Sequence, residues 1–239
     1  MSRAMTIAGR EWRAYFLSTS GYVITALFAL FAGLFFVRYA FANGQVASMR
    51  PVFASGTWIL AFIAPAITMR LLSEEFRMHT YETLITAPVR HGDIIVGKYL
   101  GAMGLLIIML APTLVFMVLL ERYGRPDYGE VACGYLGLLL AGSAYVASGL
   151  FVSTLTSSQP VSFLVTMFFW ITIGLGTKEL PAMVPDWLAT FVYAADPELR
   201  LRDFTIGLID SSNVVYFVAI TAFFLIASMQ SLAARKWPS

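Results

Sequence analysis

Glu75, His79 and Glu82 stand at i, i+4 and i+7, a spacing that would place two carboxylates and an imidazole on one helical face. Such a face could bind a metal ion. No Cys is near, and the one other histidine, His91, lies beyond Pro88, so a solvated polar face is the better reading. A second candidate is "GDIIVGKY", Gly92–Tyr99, which approaches the phosphate-binding pattern G-x-x-x-x-G-K-[ST]. It departs from that pattern where the chemistry lies: Tyr99 has no small hydroxyl for magnesium, and the loop interior is not glycine-rich. Close packing at Gly97, with Lys98 at headgroup level, accounts for it better. Neither G-x-S-x-G nor H-E-x-x-H occurs, and no acid falls at mid-depth of an apolar run to relay protons. No catalytic site and no resident metal or cofactor is expected.

The elements that must position these residues are apolar. Of the 239 residues, 59% are hydrophobic and 13% charged, and mean hydropathy is +0.75. A soluble domain carries about 25% charged residues. The excess apolar surface has to face lipid. A net charge of +2 with no basic tract argues against nucleic acid as a partner. Cys133 has no partner for an intramolecular disulfide. The first apolar run starts about twenty residues in and is too long for a signal peptide.

The expected fold is all-α and polytopic. Six membrane-crossing helices are read over Tyr22–Ala42, Thr57–Leu72, Ile94–Leu120, Val131–Leu155, Val161–Thr177 and Val214–Ala233. Pro65 and Pro112 fall inside the second and third, where neighbouring helices can satisfy the freed carbonyls. Gly134, Gly137, Ala141, Gly142, Ala144, Ala147 and Gly149 suit the fourth to close packing. Residues 1–21 read as an interfacial amphipathic helix. Met5, Ile7, Ala8, Trp12, Tyr15 and Phe16 form its apolar stripe, and Arg3, Arg10 and Arg13 face water and anionic headgroups. Residues 178–213 contain Pro181, Pro185 and Pro197 and cannot be one helix. "DWLATFVYAA" and "LRDFTIGLI" within them are too short to cross and fit half-penetrating pieces.

Basic flanks set the orientation. Arg3, Arg10, Arg13, Arg70, Arg77, Arg90, Lys98, Arg235 and Lys236 fall on one side, and Arg50, Arg122, Arg125, Lys178, Arg200 and Arg202 on the other. The richer side is read as the cytoplasm, with both termini there. The segment from Leu72 to Ala87 is helix-compatible and Pro88 stops it. Phe76, Thr80, Thr83, Leu84 and Ala87 lie along one face, and Glu75, His79 and Glu82 along another.

"EEFRMHTYETLITAPVRHGDIIVGKYLGA" resembles the cytoplasmic segment of ABC-2 type exporter permeases, with its pattern near E-E-x-x-x-G-T-x-E-x-L-x-x-x-P-V followed by I-V-x-G-K. Arg10–Val23 and Thr205–Trp237 resemble the corresponding ends of that family, in its gliding-motility branch. The resemblance covers nearly the whole chain and implies one ABC-2 transmembrane domain over residues 1–239, in a bacterial cytoplasmic (inner) membrane. It implies a coupling helix over residues 73–88 that docks on an ATPase subunit through Glu75, Phe76, His79, Thr80, Glu82, Leu84 and Pro88. His79 stands where the family has Gly, and Phe76 where a base is common. It further implies two copies of an ABC ATP-binding subunit carrying ATP and magnesium, a second permease subunit, identical or related, and an extracytoplasmic gate over residues 178–213. An extracytoplasmic accessory protein is a possible further partner. The expected function is the permease of an ATP-driven exporter. The alternatives are a non-transporting subunit that passes ATP-driven force to another protein, and an intramembrane enzyme, for which only Thr, Ser and Tyr stand at mid-depth.

Overall fold

The computed structural model describes residues 3–39, 48–80, 90–122 and 126–234. Among them every regular element is helical. The helices are α1 (Arg3–Leu17), α2 (Thr19–Tyr39), α3 (Arg50–Thr68), α4 (Ser73–Arg77), α5 (His91–Leu110), α6 (Leu114–Glu121), α7 (Tyr128–Leu155), α8 (Gln159–Glu179), α9 (Asp186–Ala194), α10 (Pro197–Thr205) and α11 (Ser211–Ala234). Six stretches are long and apolar enough to cross a membrane: α2, Arg50–Arg77, His91–Glu121, α7, Gln159–Ala182 and α11. The expected all-α polytopic fold is the observed one.

Most of these helices begin about one turn before the expected start. Hydropathy detects the apolar body of a helix and misses the polar first turn that supplies its caps. Asp127 shows why: its carboxylate accepts from the Gly129 and Glu130 amides at 2.8 and 3.4 Å, fixing the start of α7 at Tyr128. Likewise the Arg90 amide donates to Asp93 at 3.3 Å where α5 begins. Pro112 interrupts the third crossing as a 3-10 turn over Ala111–Thr113, whereas Pro65 stays inside α3.

The second and fourth crossings form the centre. Of the residues in their apolar stretches 72% are buried, against 28%, 28% and 22% for the first, fifth and sixth. Outward-facing apolar residues such as Leu34, Phe168 and Phe223 are left for lipid. The small residues of α7 permit this packing: Gly137 lies against Leu201 and Phe204, and Gly142 against Leu106.

Each proline of the 178–213 segment starts a piece. Pro181 sits in a 3-10 turn, Pro185 precedes α9, and Pro197 is the first residue of α10. Asp196 caps α10 by accepting from the Glu198 amide at 2.8 Å. Leu201 and Phe204 are buried against the bundle, while Trp187 and Phe191 of α9 are exposed. Gly207, at φ 83, turns the chain out of α10.

The 73–88 helix departs from expectation. Within the described residues α4 stops at Arg77, and His79 has φ 55, in the left-handed region. Glu75 and His79 therefore do not share a continuous helical face. Position 79 requires the backbone that glycine adopts freely, and the resemblance expects Gly there. Glu82, Leu84 and Pro88 lie outside the described residues.

Candidate functional site

The polar residues converge at the end of the bundle formed by α1, α4 and the start of α5. α1 is an arginine-bearing amphipathic helix with Ile7, Ala8 and Tyr15 buried. It packs along α5 in a groove lined by Gly97, Gly101 and Gly104. A methyl group at Gly97 would lie 2.7 Å from Ile7 Cβ and 2.8 Å from the Ala4 carbonyl oxygen, and one at Gly101 would lie 2.6 Å from Glu11 Cβ. A methyl group at Gly104 would overlap the Trp12 indole. The apolar stripe expected for α1 is thus divided. Ile7, Ala8 and Tyr15 face protein, whereas Met5, Trp12 and Phe16 remain about half exposed.

This packing brings Glu11 over Lys98. The Lys98 ammonium donates to Glu11 Oε1 at 2.9 Å and to Glu75 Oε1 at 2.8 Å. Arg10 closes the cluster at 3.1 Å from Glu75 and 3.6 Å from Glu11. The Lys98 side chain is 1% exposed, its ammonium taken up by the two carboxylates. Its placement follows from the glycine groove, which turns the preceding face of α5 towards α1 and leaves Lys98 enclosed between α1 and α4.

Nearby, Tyr15 donates to the Ile67 carbonyl at 2.7 Å. Burial pushes its phenol well above the ordinary value, so it remains a donor. The Arg70 guanidinium lies 4.2 Å from the Tyr15 ring centroid and donates to Ser20 at 2.5 Å and Ser18 at 3.3 Å. Ser18 is the only residue between α1 and α2, and Gly21 makes that corner possible by leaving room for the Tyr15 carbonyl. Ser73 is fully buried and donates to the Ser153 carbonyl at the end of α7 at 3.4 Å. The end of α3 and α4 are therefore tied to α1, α2, α5 and α7.

Of the residues expected to act here, Glu75 points inward and Phe76 is half-buried against the core. His79 and Thr80 are exposed, and the Thr80 hydroxyl donates to the Glu75 carbonyl at 3.5 Å. Sequence reasoning missed Lys98 and Arg10 as partners of Glu75, and Glu11 as the second acceptor from Lys98. The available signal was the spacing of Gly97, Gly101 and Gly104, which announces a helix pressed onto α5.

At the opposite end, α10, α8 and the start of α3 enclose an open cleft of about 680 Å³ lined by Arg50, Lys178, Asp196, Glu198 and Arg202 among others. Lys178 pairs with Glu198 at 2.8 Å and lies 5.0 Å from the Trp58 ring centroid, and the Trp58 indole donates to Glu198 at 3.2 Å. Arg50 pairs with Glu130 at 2.7 Å. Glu130 and Asp127 are thus an ion-pair partner and a helix cap.

A six-span helical bundle with an ionic hub at one end and two short helices at the other defines a polytopic membrane protein. A family model described as "ABC-2 family transporter protein" matches residues 42–193. The match exceeds half of the chain, and the chain belongs to that family. It is therefore a membrane subunit of the ABC transporter type, a permease that associates with an ABC ATP-binding subunit. No curated protein matches the chain.

Proposed function

We propose that this chain is the permease of an ATP-driven exporter in a bacterial inner membrane, within or near the gliding-motility branch of its family. ATP and magnesium bind to two copies of a partner ATPase, and a second permease subunit, identical or related, completes the complex. Residues 73–88 form the cytoplasmic segment that the ATPase grips, and both termini lie on the same side. Residues 178–213 gate the outward path, and an accessory protein can meet them there. The whole chain works as one ABC-2 transmembrane domain.

One observation carries this reading. The segment after α3 is not a slack loop: Glu75, Phe76 and Ser73 tie it to α1, α5 and α7, so a force on it reaches the bundle. For such a force to do work, ATP must favour one arrangement of the bundle over another.

The test uses accessibility and assembly together. In a Cys133→Ser background, Met78→Cys is expected to react with a membrane-impermeant thiol reagent only in opened cells. Lys178→Cys is expected to react in intact cells once any outer membrane is permeabilised. A partner ATPase subunit is expected to co-purify from the native membrane and to hydrolyse ATP, while the permease alone does not. Labelling of Met78→Cys from outside, or no ATPase in the purified complex, overturns the proposal.

A further inference from the structure

Lys98 joins three elements that are remote in sequence. Glu11 is on α1, Glu75 on α4 and Lys98 on α5, and all three side chains meet at Lys98 Nζ within 2.9 Å. With Arg10 the cluster is neutral: two cations and two carboxylates. Only Arg10 is widely exposed, at 57%; Glu11 and Glu75 are 14% and 16% exposed. A buried ammonium cannot be parted from its carboxylates without leaving an uncompensated charge in a water-poor site. Sliding α1 along α5, or lifting α4 away from either, would do so. The glycine groove independently resists the first of these motions, because the Ala4 carbonyl, Ile7, Glu11 and Trp12 of α1 are seated where Cβ atoms of α5 would otherwise lie.

We infer that Lys98 is a positioning residue for coupling: it binds α1, α4 and the start of α5 into one rigid body. A displacement of residues 73–80 is then delivered to the third crossing and, through α1 and the Ser18 corner, to the first. Glu75 acts inside the permease and is not a free carboxylate offered to the ATPase. This inference rests on the coupling reading above.

The experiment measures distances between spin labels in the complex with the co-purified ATPase, in nanodiscs, with and without ATP and vanadate. One label pair, Thr6→Cys with Met78→Cys, reports on the α1–α4 body. A second pair, Met78→Cys with Met183→Cys, spans the bundle. Both use the Cys133→Ser background, and Thr6, Met78 and Met183 are exposed. The spanning distance is expected to shift with ATP and vanadate, while the Thr6–Met78 distribution stays narrow and unmoved. In the variant Glu11→Gln, Glu75→Gln, Lys98→Met, which leaves only the exposed Arg10 charged, the Thr6–Met78 distribution is expected to broaden or shift with nucleotide. The double variant Arg10→Gln, Glu11→Gln, which removes both ion pairs that α1 brings to the cluster, is expected to do the same, and Lys98→Arg to behave as the parent. A Thr6–Met78 distance that changes with nucleotide in the parent overturns the rigid body. Variants indistinguishable from the parent overturn the role of Lys98. A spanning distance in the complex that does not respond to ATP and vanadate removes the coupling reading and this inference with it.

Discussion

The two ends of the bundle hold ion pairs of nearly the same length and unequal consequence. Lys98 meets Glu75 at 2.8 Å, and Lys178 meets Glu198 at 2.8 Å. The first lysine is 1% exposed and the second 44%. At Lys98 the side chains cannot exchange protein partners for water, so loss of one partner strands the others. At Lys178 water replaces the carboxylate at little cost. Distance alone does not distinguish a joint from a contact; burial does. The hub turns on a buried lysine; at the other end the Lys178–Glu198 pair can exchange its partner for water, while Leu201 and Phe204 hold α10 by burial.

The contrast can be broken most directly at Lys98. Lys98→Met leaves Glu11 and Glu75 facing each other with only Arg10 between them. It is expected to destabilise the detergent-purified protein by about 3–5 kcal/mol, the cost of removing one member of a buried pair. Thermal unfolding followed by fluorescence measures this, and a loss within error of that for Lys178→Met would erase the distinction between the ends.

A smaller effect is expected at the groove. Gly97→Ala places a methyl group against the Ala4 carbonyl and Ile7. Overpacking costs roughly 1–3 kcal/mol, offset by about 1 kcal/mol of gained helix propensity. The net expectation is a modest loss of stability with faster proteolysis of α1. Unchanged proteolysis would show that α1 is not seated on these glycines.

His79→Gly sharpens the comparison in the other direction. It relieves a left-handed backbone cost of about 1 kcal/mol, and a small gain in unfolding temperature is expected. A clear loss would mean that contacts of the imidazole outweigh the backbone strain. The smallest effect belongs to Lys178→Met, at about 0–1 kcal/mol, because the pair is largely exposed. Its unfolding should match the parent closely and vary little with salt.

The sequence determined that six helices cross the membrane, because a crossing is a local average over about twenty apolar side chains. It determined that residues 178–213 break into short pieces, because proline forbids continuity wherever it occurs. It also held the clue to the turn at His79, where a glycine was expected. Tertiary structure alone decided what the polar residues do. Lys98 sits on a helix whose local sequence suits a headgroup contact, yet it is buried because Glu11 and Glu75 arrive from 87 and 23 residues away. Glu75 looks in sequence like an exposed acid, as Glu74 beside it is. Whether a charge is enclosed depends on which distant helix is pressed over it, and hydropathy, a property of neighbours along the chain, carries no record of that.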